Sequence, residues 1–229
     1  MPATTTAREA TLPTGLLTLP GVYRPQADTR LLAAALAMED VHPSTEVLEI
    51  GTGTGVLALS AAGRGARVTA VDVSWRAVAA ARLNALAQGL PLRVLHGDFT
   101  ARTSGRRYDI VLANPPYVPS PEIRPPTGGP ARAWDAGPDG RLVIDRICAS
   151  APGLLRRGGV LLMVHSAMCG AESTLRRLRQ AGLAGRTTAR TFVPWGPVLR
   201  SRRPWLERQG LADVGEEREE LVIIRAQAL

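Results

Sequence analysis

The sequence predicts an α/β protein, one domain built on a doubly wound, mostly parallel sheet, and three observations carry that expectation. Apolar runs of strand length alternate with Ala- and Leu-rich runs of helical period along most of the chain. Four of the strand-like runs stop abruptly at residues that carry chemistry. The length of 229 residues suits one well-buried α/β domain and is short for two.

Residues 1–20 are rich in Thr, Pro and Ala without a period and read as a flexible N-terminal arm, with the domain spanning 21–229. Asp28 to Met38 reads as a helix, capped by Asp28 or Thr29 and carrying a stripe of Leu31, Leu32, Ala35 and Leu36. Glu46 to Ile50 is the first strand, and a helix from Val56 to Ala62 follows. Ala66 to Val71 is the second strand, Ser74 to Leu86 an Ala-rich helix, Leu92 to Leu95 the third strand and Tyr108 to Ala113 the fourth. Residues 118–133 hold too many prolines for regular structure and read as a mobile rim loop. Then come a helix (Leu142 to Leu155), a strand (Gly159 to His165), a helix (Glu172 to Leu183) and two strands (Thr187 to Val193, Glu220 to Arg225). That makes seven strands.

The chemistry lies at the strand ends. The first strand runs into Gly51-Thr52-Gly53-Thr54-Gly55, and a helix opens directly after it. Glycines let a backbone approach a ligand closely, and a helix N-terminus offers free N–H groups. The spacing differs from the dinucleotide pattern Gly-x-Gly-x-x-Gly. The second strand ends in Asp72, near the offset at which an acid meets ribose hydroxyls. Gly97-Asp98-Phe99 follows the third strand. The fourth ends in Asn114-Pro115-Pro116-Tyr117, a set of groups that can hold a planar nitrogen: a carboxamide oxygen and a proline carbonyl accept its N–H hydrogens while a ring packs on its face. Each feature alone also occurs as plain turn structure. Four together at the carboxyl ends of parallel strands, where open α/β sheets bind ligands, point to a site.

With Val22-Tyr23-Arg24-Pro25-Gln26-Ala27-Asp28-Thr29 before the first helix and Trp134-Asp135-Ala136-Gly137-Pro138-Asp139-Gly140 beyond the fourth strand, the chain resembles the HemK-like family of class I S-adenosylmethionine-dependent methyltransferases. This is a Rossmann-like family that includes the release-factor glutamine methyltransferases. The resemblance spans roughly residues 20 to 226. It implies S-adenosyl-L-methionine as cofactor, S-adenosyl-L-homocysteine as product, and in-line N-methylation. It implies that Glu49, Gly51, Gly53 and Gly55 line the methionine side, that Asp72 and Val73 hold the ribose, and that Asp98 and Phe99 face the adenine. Tyr23, Pro25 and Thr29 would belong to a segment covering the cofactor. Asn114, Pro115 and Tyr117 would be catalytic, Asn114 also meeting the cofactor, with Pro116, Tyr117 and Trp134 toward the acceptor; His165, at a strand end, and Trp195, in an apolar segment, are further acceptor-side candidates from their own positions.

The acceptor implied first is a glutamine side chain of a protein such as a release factor. Only about fifty residues precede the Gly loop, where the bacterial release-factor enzymes carry a helical substrate domain. The chain is closer in length to compact relatives that work with a small activating partner protein. Three alternatives come from other classes. One is a tailoring enzyme of secondary metabolism acting on a small molecule, by methylation or by ring closure with the sulfonium as leaving group. Another is an N-methyltransferase of nucleic-acid bases, since similar loops serve the amines of flipped bases, although no separate target-recognition domain is visible. The last is a binding module without turnover, against which the intact Asn-Pro-Pro-Tyr argues.

Composition narrows the field. Net charge is +8 with 28 basic residues, all arginine, so Schiff-base and lysine-dependent chemistry is excluded. No apolar stretch is long enough to span a membrane and the start does not read as a secretory signal, so a cytoplasmic enzyme without membrane contact is expected. Cys148 and Cys169 read as small buried residues rather than a disulfide. His42, His96 and His165 are scattered, and no Cys/His spacing suggests a metal. The mixed segment Phe192 to Leu199, including Trp195, reads as a substrate wall or an interaction patch.

Overall fold

The computed structural model describes residues 12–124 and 126–229. The strands are β1 (Glu46–Ile50), β2 (Arg67–Asp72), β3 (Arg93–His96), β4 (Tyr108–Ala113), β5 (Leu155–Ser166), β6 (Leu183–Pro194) and β7 (Arg218–Ala228). They form one sheet in the order β3-β2-β1-β4-β5-β7-β6. The first five strands run parallel, and β7 is inserted antiparallel to both β5 and β6. This is the fold of the class I methyltransferases, as the sequence predicts.

Alternation along the strands separates two cores. In β4, Val111 and Ala113 face one cluster while Ile110 and Leu112 face the other. In β5, Leu161 and Met163 oppose Val160, Leu162 and Val164 in the same way. One face is covered by α5 (Leu142–Leu154) and α6 (Ala171–Gln180), the other by α1 (Ala27–Ala37), α2 (Val56–Ala62) and α3 (Trp75–Gln88). Strands buried on both faces need continuous apolar runs, which is why β1 and β4 are legible in the sequence.

Local signals set the helix ends. Ser74 caps α3, accepting from the Ala77 N–H at 3.4 Å, and Gly89 closes it with a left-handed backbone. Gly55 opens α2 at φ 83°, and a Cβ there would lie 3.1 Å from the Ala81 Cβ. Its role is thus close packing of α2 on α3.

Two elements differ from expectation. The one-turn α4 (Phe99–Arg102) stands where only a Gly-Asp-Phe motif was read. Helix α7 (Pro197–Arg208) takes in the end of the segment expected as a substrate wall or interaction patch; Pro197 sits in its first turn, where the missing N–H costs nothing. Leu199 and Leu206 of α7 bury with Trp195 in a third, small core.

The arm needs narrowing as well. Residues 1–11 lie outside the described residues. Residues 12–20 are tied to α3: Asn84 Oδ1 accepts from the Leu17 N–H at 2.7 Å, and Asn84 Nδ2 donates to the carbonyls of Leu17 and Thr54, both at 2.9 Å. The rim loop is anchored at its base, with Val118 N–H donating to the Trp134 carbonyl at 2.8 Å and Ser120 N–H to that of Gly137 at 2.9 Å. Among the described residues no helix is long and apolar enough to cross a membrane, and no group of three or more His, Cys, Asp or Glu could hold a metal.

Candidate active site

Strand order reverses between β1 and β4, and a crevice opens there at the carboxyl ends of β1, β2 and β4. It holds a cavity of about 250 Å³. Of the residues singled out in the sequence, Tyr23, Pro25, Thr29, Glu49, Gly51, Gly53, Asp72, Val73, Asn114, Pro115, Pro116, Tyr117 and Trp134 all line it.

At its centre is a residue expected as a helix cap within the segment that covers the cofactor, although the cap of α1 is Gln26. Asp28, in the first turn of α1, is 3% exposed. Its Oδ2 accepts from the Tyr23 hydroxyl at 2.8 Å, from Asn114 Nδ2 at 3.0 Å and from the Tyr117 hydroxyl at 3.3 Å. Its Oδ1 accepts from the Thr29 main-chain N–H at 2.6 Å and the Thr29 hydroxyl at 3.1 Å. Donors and the N-terminal end of the helix dipole together stabilise a buried carboxylate. A carboxylate only accepts, so it fixes the orientation of Asn114: the amide nitrogen faces Asp28. Among the described residues Asn114 Oδ1 has no hydrogen-bond partner, and Asn114 lines the cavity. Burial, with Asp28 close by, pushes the Tyr23 and Tyr117 hydroxyls upward, so both remain protonated donors.

The Gly loop forms the opposite wall. Glu49 is buried beneath it and accepts from the Thr52 hydroxyl at 2.5 Å and the Ala58 N–H at 3.1 Å. Burial outweighs these bonds and pushes its carboxyl up to about 8. Asp72 accepts from the Gly53 N–H at 3.0 Å and the Ser74 N–H at 2.8 Å. Two of roughly four lone-pair sites are thereby used, and the others remain for hydroxyl donors. Burial raises its carboxyl, opposed by those two N–H groups and by the Arg132 guanidinium. Arg132, Ala133 and Trp134 also line the cavity, so the rim loop borders the Asp72 end as well as the Asn-Pro-Pro-Tyr end. A loop that opens space on one side, an acid with free lone pairs and a second buried acid fit an adenosyl amino acid.

Five sequence candidates lie outside the cavity. Gly55 packs on Ala81, as described. Asp98, expected to face an adenine amine, caps α4 and pairs with Arg146 at 2.6 Å; against partial desolvation, the Thr100 hydroxyl and then Arg146 hold its carboxyl below the usual range. Phe99 is buried in the core under the Arg146 guanidinium. His165, expected toward the acceptor, is fully buried on β5 with Nδ1 2.8 Å from the Ser166 carbonyl; desolvation lowers it to about 4, so it is a neutral core residue. Trp195 is likewise core, 1% exposed.

The Asn-Pro-Pro-Tyr loop is buttressed from behind. The Cys169 thiol donates to the Tyr117 carbonyl at 3.1 Å. Gly140 adopts φ 70°, and a Cβ there would come within 2.4 Å of the Tyr117 carbonyl oxygen and 2.8 Å of Cys169 Sγ. Gly140→Ala is therefore expected to destabilise the protein by about 2–5 kcal/mol, combining left-handed strain with overpacking. Urea denaturation checks this; an unchanged midpoint would show that close packing at Gly140 does not support the loop.

Residues 14–125 match the family model described as methyltransferase small domain. A Methanocaldococcus jannaschii protein, provisionally named a protein N5-glutamine methyltransferase, is 34% identical over 79% of this chain and 90% of its own length. The release factor glutamine methyltransferase of Bordetella pertussis is 38% identical over 72% of this chain, which spans 63% of that enzyme's length. Among solved structures, the Mtq2-Trm112 complex of E. cuniculi, described as responsible for methylation of the eRF1 translation termination factor, aligns with TM-score 0.63 and 23% identity over 91% of this chain and 99% of the matched one.

Proposed function

The chain belongs to the HemK-like family of class I S-adenosylmethionine-dependent methyltransferases, and from that premise we propose that it methylates the side-chain amide nitrogen of a glutamine in a protein, of the kind found in release factors. The observation that carries the proposal is the Asp28–Asn114 hydrogen bond, which turns the Asn114 oxygen away from its anchor. S-adenosylmethionine, when bound, supplies an already activated methyl group. The chain's own residues then have to orient a poor nucleophile. An amide nitrogen shares its lone pair with the carbonyl; accepting its N–H hydrogens at Asn114 Oδ1 and the Pro115 carbonyl returns electron density to it. Tyr117, held by Asp28, packs against the amide plane. Orientation of this kind is worth up to about 7–11 kcal/mol relative to free reactants. No strong general base is required before transfer, and the two tyrosines, held protonated, do not offer one.

Glutamine is favoured over a nucleobase because the relative matched along nearly its whole length bears a glutamine methyltransferase name. A small partner protein of the sort present in the E. cuniculi complex belongs to the same proposal. The sheet ends at β3 beside Trp75, Leu83 and Leu86, large apolar residues exposed on α3, which suits such a partner.

The test is mass spectrometry of a release factor incubated with enzyme and S-adenosylmethionine. A gain of one methyl on a glutamine-containing peptide of the factor supports the proposal. An unmarked factor beside a methylated small metabolite of a cell extract would replace it with the tailoring reading.

Cofactor binding should also depend on pH through Glu49. Its raised carboxyl is mostly protonated below about 8. If it faces the cofactor's ammonium group, ionisation strengthens binding, and affinity for S-adenosylhomocysteine should rise roughly tenfold from about pH 6.5 to 8.5. Calorimetry at both pH values checks this, and Glu49→Gln should flatten the rise. A profile equally steep in that variant would assign the titration elsewhere.

A further inference from the structure

A second cavity, of about 240 Å³, lies between the end of β5, the β6–β7 pair and the segment after α7. Its electrostatics run against the rest of the molecule. In a chain of net charge +8, five of the twenty acidic residues fall within the eight positions Asp213 to Glu220. Asp213, Glu216, Glu219 and Glu220 line the cavity, with Arg218 as the opposing charge. Several of these groups are already engaged. Glu220 pairs with Arg190 at 2.8 Å, and Glu216 accepts from the main-chain N–H groups of Glu217 and Arg218 at 3.0 and 2.9 Å. The Arg218 guanidinium stands over the Phe192 ring at 5.3 Å.

Glu219 is different. Its Oε2 is buried and has no hydrogen-bond partner among the described residues. Desolvation raises its carboxyl to about 7, opposed by a hydrogen bond with Ser166 and reinforced by Asp28. Trp195 lines the same cavity, almost wholly buried, and its Nε1–H has no acceptor among the described residues. One cavity therefore contains an unmet acceptor and an unmet donor, each of a kind that costs about 1–3 kcal/mol when left buried and unpaired. A polyamine would satisfy only the acid. A basic residue within a polypeptide would satisfy both.

We propose that this cavity is a binding site for an arginine-type residue of a polypeptide, its guanidinium toward Glu219 and a main-chain carbonyl accepting from Trp195 Nε1. The volume suits one long side chain and falls below the roughly 300–1,000 Å³ of sites that enclose a whole small ligand. The guanidinium is planar, always charged and able to bind a carboxylate through two N–H groups. The site adjoins the catalytic loop, since Val118 and Met168 pack on the Trp195 cluster. It holds whichever nitrogen is methylated, so its test uses no methyl transfer.

The full-length ¹⁵N-labelled chain would be titrated with N-acetylarginine methylamide while the Trp195 indole N–H resonance, assigned with Trp195→Phe, is followed. N-acetylcitrulline methylamide supplies the same shape without the charge. The expected result is a saturable shift with Kd on the order of 1 mM, at least about tenfold weaker for citrulline and for the arginine probe with Glu219→Gln. No saturable shift in the unsubstituted chain up to about 50 mM, some fifty times that Kd, overturns the site. So does equal affinity for the two probes, or an affinity that Glu219→Gln leaves unchanged.

Discussion

Asn114→Ala is expected to lower turnover by about 10²–10³-fold, the usual loss when a preorganised group directed at the transition state is removed. Affinity for S-adenosylhomocysteine should change little. The reason is positional. Asn114 contributes one side of the cavity at the end of β4, whereas the Gly loop and Asp72 belong to β1 and β2. Its nitrogen is committed to Asp28, so truncation removes a side-chain oxygen placed to accept from an incoming amide. Single-turnover rates at saturating cofactor, beside a binding isotherm, separate the two effects. Retained turnover would end the orienting role, and a parallel loss of cofactor affinity would move Asn114 to the cofactor's side of the site.

Asp28→Asn should be nearly as damaging to turnover and worse for stability. Both carboxylate oxygens face donors, three on Oδ2 and two on Oδ1. Whichever way the new amide is turned, an NH₂ group meets N–H or O–H groups in a buried site. Leaving such donors unpaired costs about 1–3 kcal/mol each, so a net loss of roughly 2–5 kcal/mol is expected in denaturant melts. Asn114 would also lose the partner that sets its orientation. If the two residues act as a unit, the double variant should be hardly slower than Asn114→Ala alone, because coupled effects do not add. Multiplying rate losses in the double variant would show that Asp28 acts on something other than Asn114.

Much of the architecture could be read before the structure, and the reasons are local. β1, α2 and β4 carry the predicted bounds because each is an apolar run ended by Gly or by Asn-Pro-Pro. β6 is twelve residues long, against seven expected, because at the sheet edge alternate positions are polar and the apolar run that marks a buried strand is missing. α7 was hidden by Pro197 and Pro204, which read as breakers when one begins the helix and the other is tolerated inside it. The site divides similarly. Glu49, Asp72 and Asn114 are strand-end residues, and the topology collects strand ends. Asp28 could not be recognised, because its work is done with Asn114 and Tyr117, 86 and 89 residues away. His165 and Trp195 show the converse: lying near a strand end does not decide which way a ring turns.

The thiol behind the Asn-Pro-Pro-Tyr loop makes that loop's openings countable. Cys169 is 2% exposed, bonded to the Tyr117 carbonyl, and burial keeps it from ionising. An alkylating reagent can reach it only while the surrounding segment is displaced, and thiolates react far faster than thiols. The rate of labelling, corrected for the intrinsic rate of an exposed cysteine, is then a clock for the fraction of time the Asn-Pro-Pro-Tyr segment spends out of place. Cys148, buried in α5, supplies a second clock for the core in the same molecule. If occupancy of the cleft slowed the first clock and left the second unchanged, the ordering of the loop would be measured directly, in a chain where no residue had been altered.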